Sequence, residues 1–189
     1  MLQRTHDLGA VTVVSYRILA FPPVSMTWET LVGIGIVTIL GAMIPDIDNV
    51  ASPAWRHRLL PWESKMTRQF LQGHRHISHS LVGVVLFTYV FGLLLNLIPL
   101  SNLDHGLLQQ TFLWGYVSHL LTDSLTIQGV PWLYPIPFKF GFPPLAFLRV
   151  RTGGWVEKLI VFPGLLLLTI WIYYAFRYNI AVIYRGLQL

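Results

Sequence analysis

The chain has 189 residues, of which 54% are hydrophobic and 11% charged. A soluble domain carries about 25% charged residues, so this deficit, with a mean hydropathy of +0.58, excludes an ordinary soluble domain and indicates an integral membrane protein. The absence of cysteine excludes disulfides and thiolate ligands, which leaves His, Asp, Glu and backbone oxygen to hold any metal; that donor set suits zinc, manganese, iron or magnesium. The net charge of +5 reads as a topology signal, because Lys and Arg accumulate on the cytoplasmic side of membrane proteins.

In chain order, residues 5–20 (THDLGAVTVVSYRILA) form a short span or an interfacial helix, since Arg17 interrupts their apolar run. The first residues lack the basic, apolar, small-residue order of a cleaved signal peptide. Residues 28–44 are a slightly short span ended by Pro45, after which a turn carries Asp46 and Asp48. Residues 80–100 have the length and apolarity of a span. Ser78 is the expected N-cap there, with His79 in the first turn and His74 in the preceding loop. Residues 107–126 are long enough to span but carry His119 and Asp123 near their end. Residues 129–144 (GVPWLYPIPFKFGFPP) are too rich in Pro and Gly for a long helix, and Trp132, Tyr134, Phe138, Phe140 and Phe142 suit an interfacial loop. Residues 157–176 form the last span despite Pro163. The fold class is therefore all-α: an integral membrane helical bundle of four to five spans, one domain over residues 1–189.

Basic residues orient the bundle. The 46–79 connection holds Arg56, Arg58, Lys65, Arg68 and Arg75 against Glu63, and the 127–156 connection holds Lys139, Arg149 and Arg151. Both connections are expected in the cytoplasm and the 101–106 connection outside. This arrangement brings His6, Asp46, Asp48, His74, His79, His119, Asp123 and Glu157 to one membrane face. Ionisable groups at membrane depth are costly and point to function.

His119 and Asp123 are four apart and share a helical face; they are either ligands or a hydrogen-bonded core pair. Asp46 and Asp48 can point to one cation from an extended turn, or one can orient a ligand histidine. In GHRHISHS (residues 73–80), a helix start favours an anion and Arg75 suits phosphoryl oxygens. His76 reads as a peripheral group, and His57 and His105 as surface residues. Glu157 at a helix start has a sufficient structural explanation in the helix dipole.

Taken together, RTH at 4–6, PDIDN at 45–49, HRHISHS at 74–80, HLLTD at 119–123 and GVPWLYP at 129–135 resemble the bacterial inner-membrane metal-dependent hydrolases, the YdjM-like group regulated by the SOS repressor LexA in some bacteria. The resemblance covers most of the chain in order. Ser78 stands where that family usually has Thr, and His76 where it has a small residue. GGWVEK also resembles a late segment of the family and brings Glu157 forward as a site residue. The ligand order is similar to that of zinc-dependent phospholipase C.

The resemblance implies a bacterial inner-membrane hydrolase holding one or two divalent ions, zinc foremost, through His6, Asp46, Asp48, His74, His79, His119 and Asp123. Such an ion acidifies its water to roughly pKa 7. Arg75 is expected to neutralise charge on a phosphoryl oxygen, and Asp48, with Glu157 as a further catalytic candidate, to take the proton. The implied partners are membrane lipids and a lipid or amphiphilic phosphoester that enters past residues 130–144. A metal transporter predicts ligands along a path to the outer face, where only Asp104 and His105 sit. A structural metal in a non-catalytic protein predicts a saturated site. The absence of HExxH disfavours a zinc protease, and the scattered basic residues carry no nucleic-acid recognition motif.

Overall fold

The computed structural model describes residues 1–48, 77–99 and 102–187, with the side chains of Ile47 and Asp48 outside that description. Six α-helices follow in order among the described residues: α1 (Gln3–Ala20), α2 (Trp28–Met43), α3 (Leu81–Asn96), α4 (His105–Ser124), α5 (Phe162–Ala175) and α6 (Arg177–Gly186). Short 3-10 turns lie at Ile44–Asp48 and Ala146–Leu148, and a π-helical turn at Glu157–Val161 leads into α5. Pro163 lacks the N–H that would bond one turn back; in membrane helices such a loss is absorbed by local π winding, and the π turn ends at Val161, two residues before it.

Three of the helices have a side-chain N-cap. Thr27 caps α2 by accepting from Thr30 N–H, and Asp104 caps α4 by accepting from Leu107 N–H. The cap of α3 is Ser80, accepting from Gly83 N–H, where the sequence suggested Ser78. His79 therefore sits in the turn before the helix, and Ser78 is left to meet it. The turn after α2 also differs from expectation: residues 44–48 wind tightly as a 3-10 turn instead of extending.

Helix α4 is the centre, packed against α1, α2 and α3. Its contact with α2 is close because both surfaces are glycine. A Cβ at Gly41 would stand 2.6 Å from the Phe112 carbonyl oxygen, and one at Gly115 2.8 Å from that of Thr38. Small residues of this kind let helix backbones approach in a membrane. Contacts from Gly33–Leu108 to Ala42–His119 advance together along the chain, so α2 and α4 are parallel. Those from Ser78–Tyr116 to Thr88–Gln109 run in opposite directions, so α3 and α4 are antiparallel. α1 and α5 are parallel and share a polar seam, with Thr12 and Thr169 hydroxyls 2.7 Å apart and Ser15 and Tyr173 3.1 Å apart.

This topology gathers the start of α1, the end of α2, the start of α3, the end of α4 and the start of the last apolar helix at one end. Trp28–Asp46 and Glu157–Ala175 are each 19 residues long and apolar enough to cross a membrane; Leu81–Asn96 is apolar but shorter. The outward faces of α3 and α5 are apolar: Val85, Tyr89 and Leu94 on one, Leu167, Ile170 and Trp171 on the other, are exposed. Exposed apolar faces of this kind mark contact with a membrane or with another protein. Residues 129–144 form turns without a helix, and Phe138, Phe140 and Phe142 are exposed as an interfacial loop requires. Helix α6 was not foreseen.

Candidate metal centre

Three histidines and two carboxylates meet at the gathered end. His6 comes from the first turn of α1, Asp46 from the turn after α2, His79 from the turn before α3, and His119 and Asp123 from successive turns of α4. His79 Nε2 lies 3.6 Å from Asp46 Oδ1 and 3.7 Å from Asp123 Oδ2. His119 Nε2 lies 3.8 Å from the same two oxygens. His6 Nε2 lies 3.4 Å from Asp123 Oδ1, and its ring stacks on that of His119 with centroids 3.8 Å apart. Asp123 Oδ1 also accepts from the Met1 α-amino group at 2.6 Å. All three rings and Asp123 are buried, whereas the Asp46 side chain is 24% exposed, so Asp46 marks the side from which the cluster is reached.

The other ring nitrogen of each histidine is already committed. His119 Nδ1 is 2.7 Å from the Ala42 carbonyl oxygen. A carbonyl only accepts, so Nδ1 carries the hydrogen in the neutral ring and Nε2 a lone pair. Thr122 Oγ1 gives its own hydrogen to the His119 carbonyl at 2.9 Å. It therefore accepts from His6 Nδ1 at 2.7 Å, which leaves Nε2 of that ring bare as well. His79 Nδ1 meets Ser78 Oγ at 3.0 Å. Histidine ligands are held in this way, one nitrogen fixed by an outer partner and the other turned to the metal.

In their neutral forms His6 and His119 thus present Nε2 lone pairs to carboxylate oxygens. The Nε2 atoms of His79 and His119 are buried without a hydrogen-bond partner among the described residues. An orphaned buried nitrogen costs about 1–3 kcal/mol, and a cation would relieve two of them beside two carboxylates. His6, Asp46 and His119 form one group whose donor atoms all lie within 4.8 Å of one another; His79, His119 and Asp123 form a second. A tetrahedral centre about 2.0–2.2 Å from nitrogen and oxygen ligands has ligand-to-ligand edges of roughly 3.3–3.6 Å. The measured edges between the His79 and His119 nitrogens and the Asp46 and Asp123 oxygens, 3.6–3.8 Å, are close to that range.

Five of the residues singled out in the sequence are therefore brought together. His74, Arg75 and the Asp48 side chain lie outside the described residues. Glu157 joins neither donor group; its carboxylate accepts from backbone and hydroxyl donors instead. Sequence reasoning missed Thr122, Ser78 and the Ala42 carbonyl, which hold the three rings. Thr122 had a signal, since it lies one turn after His119 and beside Asp123 in HLLTD. A backbone carbonyl has none.

Comparison with known proteins places the chain among inner membrane proteins. The family model described as YdjM inner membrane protein matches residues 1–186. The inner membrane protein YdjM of Escherichia coli (strain K12) is 34% identical over 148 residues, covering 76% of this chain and 68% of the relative. The protein of the same name from Shigella flexneri matches to the same extent. The uncharacterized protein YvsG of Bacillus subtilis (strain 168) is 30% identical over 177 residues, 92% of this chain and 95% of the relative. No solved structure matches. The chain belongs to the YdjM inner membrane protein family, which supports a bacterial inner-membrane location.

Proposed function

We propose that this protein is a membrane-embedded metal-dependent hydrolase acting on a phosphoester of a lipid or other amphiphile at the cytoplasmic face. The observation that carries the reading is the convergence of three imidazoles, each with Nδ1 held elsewhere, on two carboxylates. His79, His119, Asp46 and Asp123 would hold a divalent ion, zinc foremost given nitrogen and carboxylate ligands, with His6 beside them. Because His119 has Nδ1 on Ala42 and only Nε2 to offer, one ion is favoured over two. Bound there, the ion would supply Lewis-acid polarisation and a water that loses its proton near neutrality.

The chain's own residues prepare the rest. Ala42 and Thr122 orient two ligand rings, and burial of four of the five donor residues excludes bulk water from their side. Asp46, the partly exposed member of the five, faces the approach. Asp48, in the same turn, is proposed to accept the proton, and Arg75 to meet phosphoryl oxygen. The exposed loop aromatics Phe138, Phe140 and Phe142 support entry from a lipid interface. Lys139, Arg149 and Arg151 belong to the connection at the site's end of the bundle, which supports a cytoplasmic orientation. Four to five of the helices would span the bilayer.

A second reading is a structural ion saturated by protein, favoured by the nearness of His6 as a fifth donor. Hydrolysis of phosphodiesters and phospholipids by purified protein, with zinc or manganese added, separates the two. Hydrolysis should require metal, and His119→Ala and Asp123→Ala should lose activity and metal together. Bound metal without turnover on any phosphoester selects the structural ion. Metal-dependent turnover retained in both variants refutes the assigned site.

A further inference from the structure

We propose that Glu157 is a positioning residue: it clasps the first turn of α1 and so holds His6 against the metal centre. This rests on the metal-binding reading above. Glu157 is fully buried at the start of the π turn. Its Oε1 accepts from Leu2 N–H and from Thr5 Oγ1–H, each at 2.7 Å, and its Oε2 accepts from Gly153 N–H at 2.7 Å. Gly153 has φ +72°, a conformation glycine adopts without a Cβ penalty.

Two of the three donors, Leu2 N–H and Thr5 Oγ1–H, tie segments more than 150 positions apart in sequence, and the third, Gly153 N–H, anchors the carboxylate within its own segment. α1 needs the tie, because its N-cap is Leu2, with no side-chain capping bond. The N–H of the cap residue Leu2, which has no partner within the helix, finds its acceptor in Glu157 from another helix. A buried carboxylate is costly unless fully hydrogen-bonded, and bonds to a charged acceptor are the strong ones. Thr5 immediately precedes His6, whose Nε2 is 3.4 Å from Asp123 and whose ring stacks on His119. The carboxylate thus fixes the backbone from which a candidate ligand projects.

The test compares wild type, Glu157→Ala, Glu157→Gln, His6→Ala and the double variant His6→Ala with Glu157→Ala. Each is purified in detergent and read by amide hydrogen exchange and by Co(II) titration with its visible spectrum. Glu157→Ala should speed exchange in the first turns of α1 and leave α3 and α4 protected. It should weaken Co(II) roughly 10-fold, at the low end of the loss from removing outer partners of metal ligands, and alter the Co(II) spectrum as His6→Ala does. In the His6→Ala background it should add nothing, because coupled residues are non-additive. Glu157→Gln keeps an amide oxygen for Leu2 and Thr5 and should recover most of the affinity. Unchanged exchange in α1, or full additivity with His6→Ala, overturns the proposal. Should wild type bind no Co(II), the metal reading fails while exchange still decides the clasp. Should Glu157→Ala not fold, Glu157→Asp, which withdraws the oxygens by one methylene, is read by the same two criteria.

Discussion

The two ends of the bundle hold similar residues and use them differently. At the far end from the metal centre, Thr27 and Thr30 hydroxyls donate to the Asn102 carbonyl, and Asp104 accepts from Leu107 N–H at 2.8 Å. There a carboxylate, two threonines and His105 close helix ends. His105 Nε2 is also without a hydrogen-bond partner among the described residues, yet it belongs to no group of metal-ligating side chains. At the near end Thr122 and the Nδ1 atom of His119 also take backbone or hydroxyl partners, but the histidine Nε2 atoms and the Asp46 and Asp123 carboxylates face one another. One unpartnered nitrogen is therefore a weak signal. The signal is several lone pairs aimed at one point, with second nitrogens fixed by outer partners.

If that contrast is sound, mutations at the two ends separate. His119→Ala or Asp123→Ala should reduce bound metal from about one ion per chain to background, measured by elemental mass spectrometry. Next in size is Gly41→Ala, whose Cβ would stand 2.6 Å from the Phe112 carbonyl oxygen. It should force α2 from α4, shift the Ala42 carbonyl from His119, and cost about 1–3 kcal/mol in denaturant or thermal unfolding, with weaker metal binding. Thr122→Val keeps the shape but removes the acceptor of His6 Nδ1. It should weaken metal roughly 10-fold in competition titrations with the helices intact by circular dichroism. Asp104→Ala at the far end should cost about 1 kcal/mol of stability through the lost cap and leave metal affinity at the wild-type value. A loss of metal from Asp104→Ala would erase the distinction between the ends.

Much of the near end was legible in the sequence. Lys and Arg counting put the acids and histidines at common helix ends, and the i, i+4 spacing in HLLTD placed His119 and Asp123 on one face. PDID after an apolar run located Asp46. What could not be read is tertiary. Ser78 and Ser80 are equally good caps by composition, and only the fold gives the cap to Ser80 and brings Ser78 to His79. The Ala42 carbonyl reaches His119 because Gly41 and Gly115 let two backbones meet, a packing fact invisible to residue type. Glu157 looked like a helix-start acid or a catalytic group, since nothing local reveals that its donors, Leu2 and Thr5, come from the other end of the chain. Helix α6 follows the last span so closely that apolar run length hides the break at Phe176.

The central claim is that lone pairs at the near end enclose a cation. Anomalous X-ray scattering from crystals of zinc-loaded protein, collected on both sides of the zinc edge, tests it most directly. The account predicts one peak per chain, among His79 Nε2, His119 Nε2, Asp46 and Asp123. No peak there, or a peak beside His105 and Asp104 at the opposite end, would contradict it.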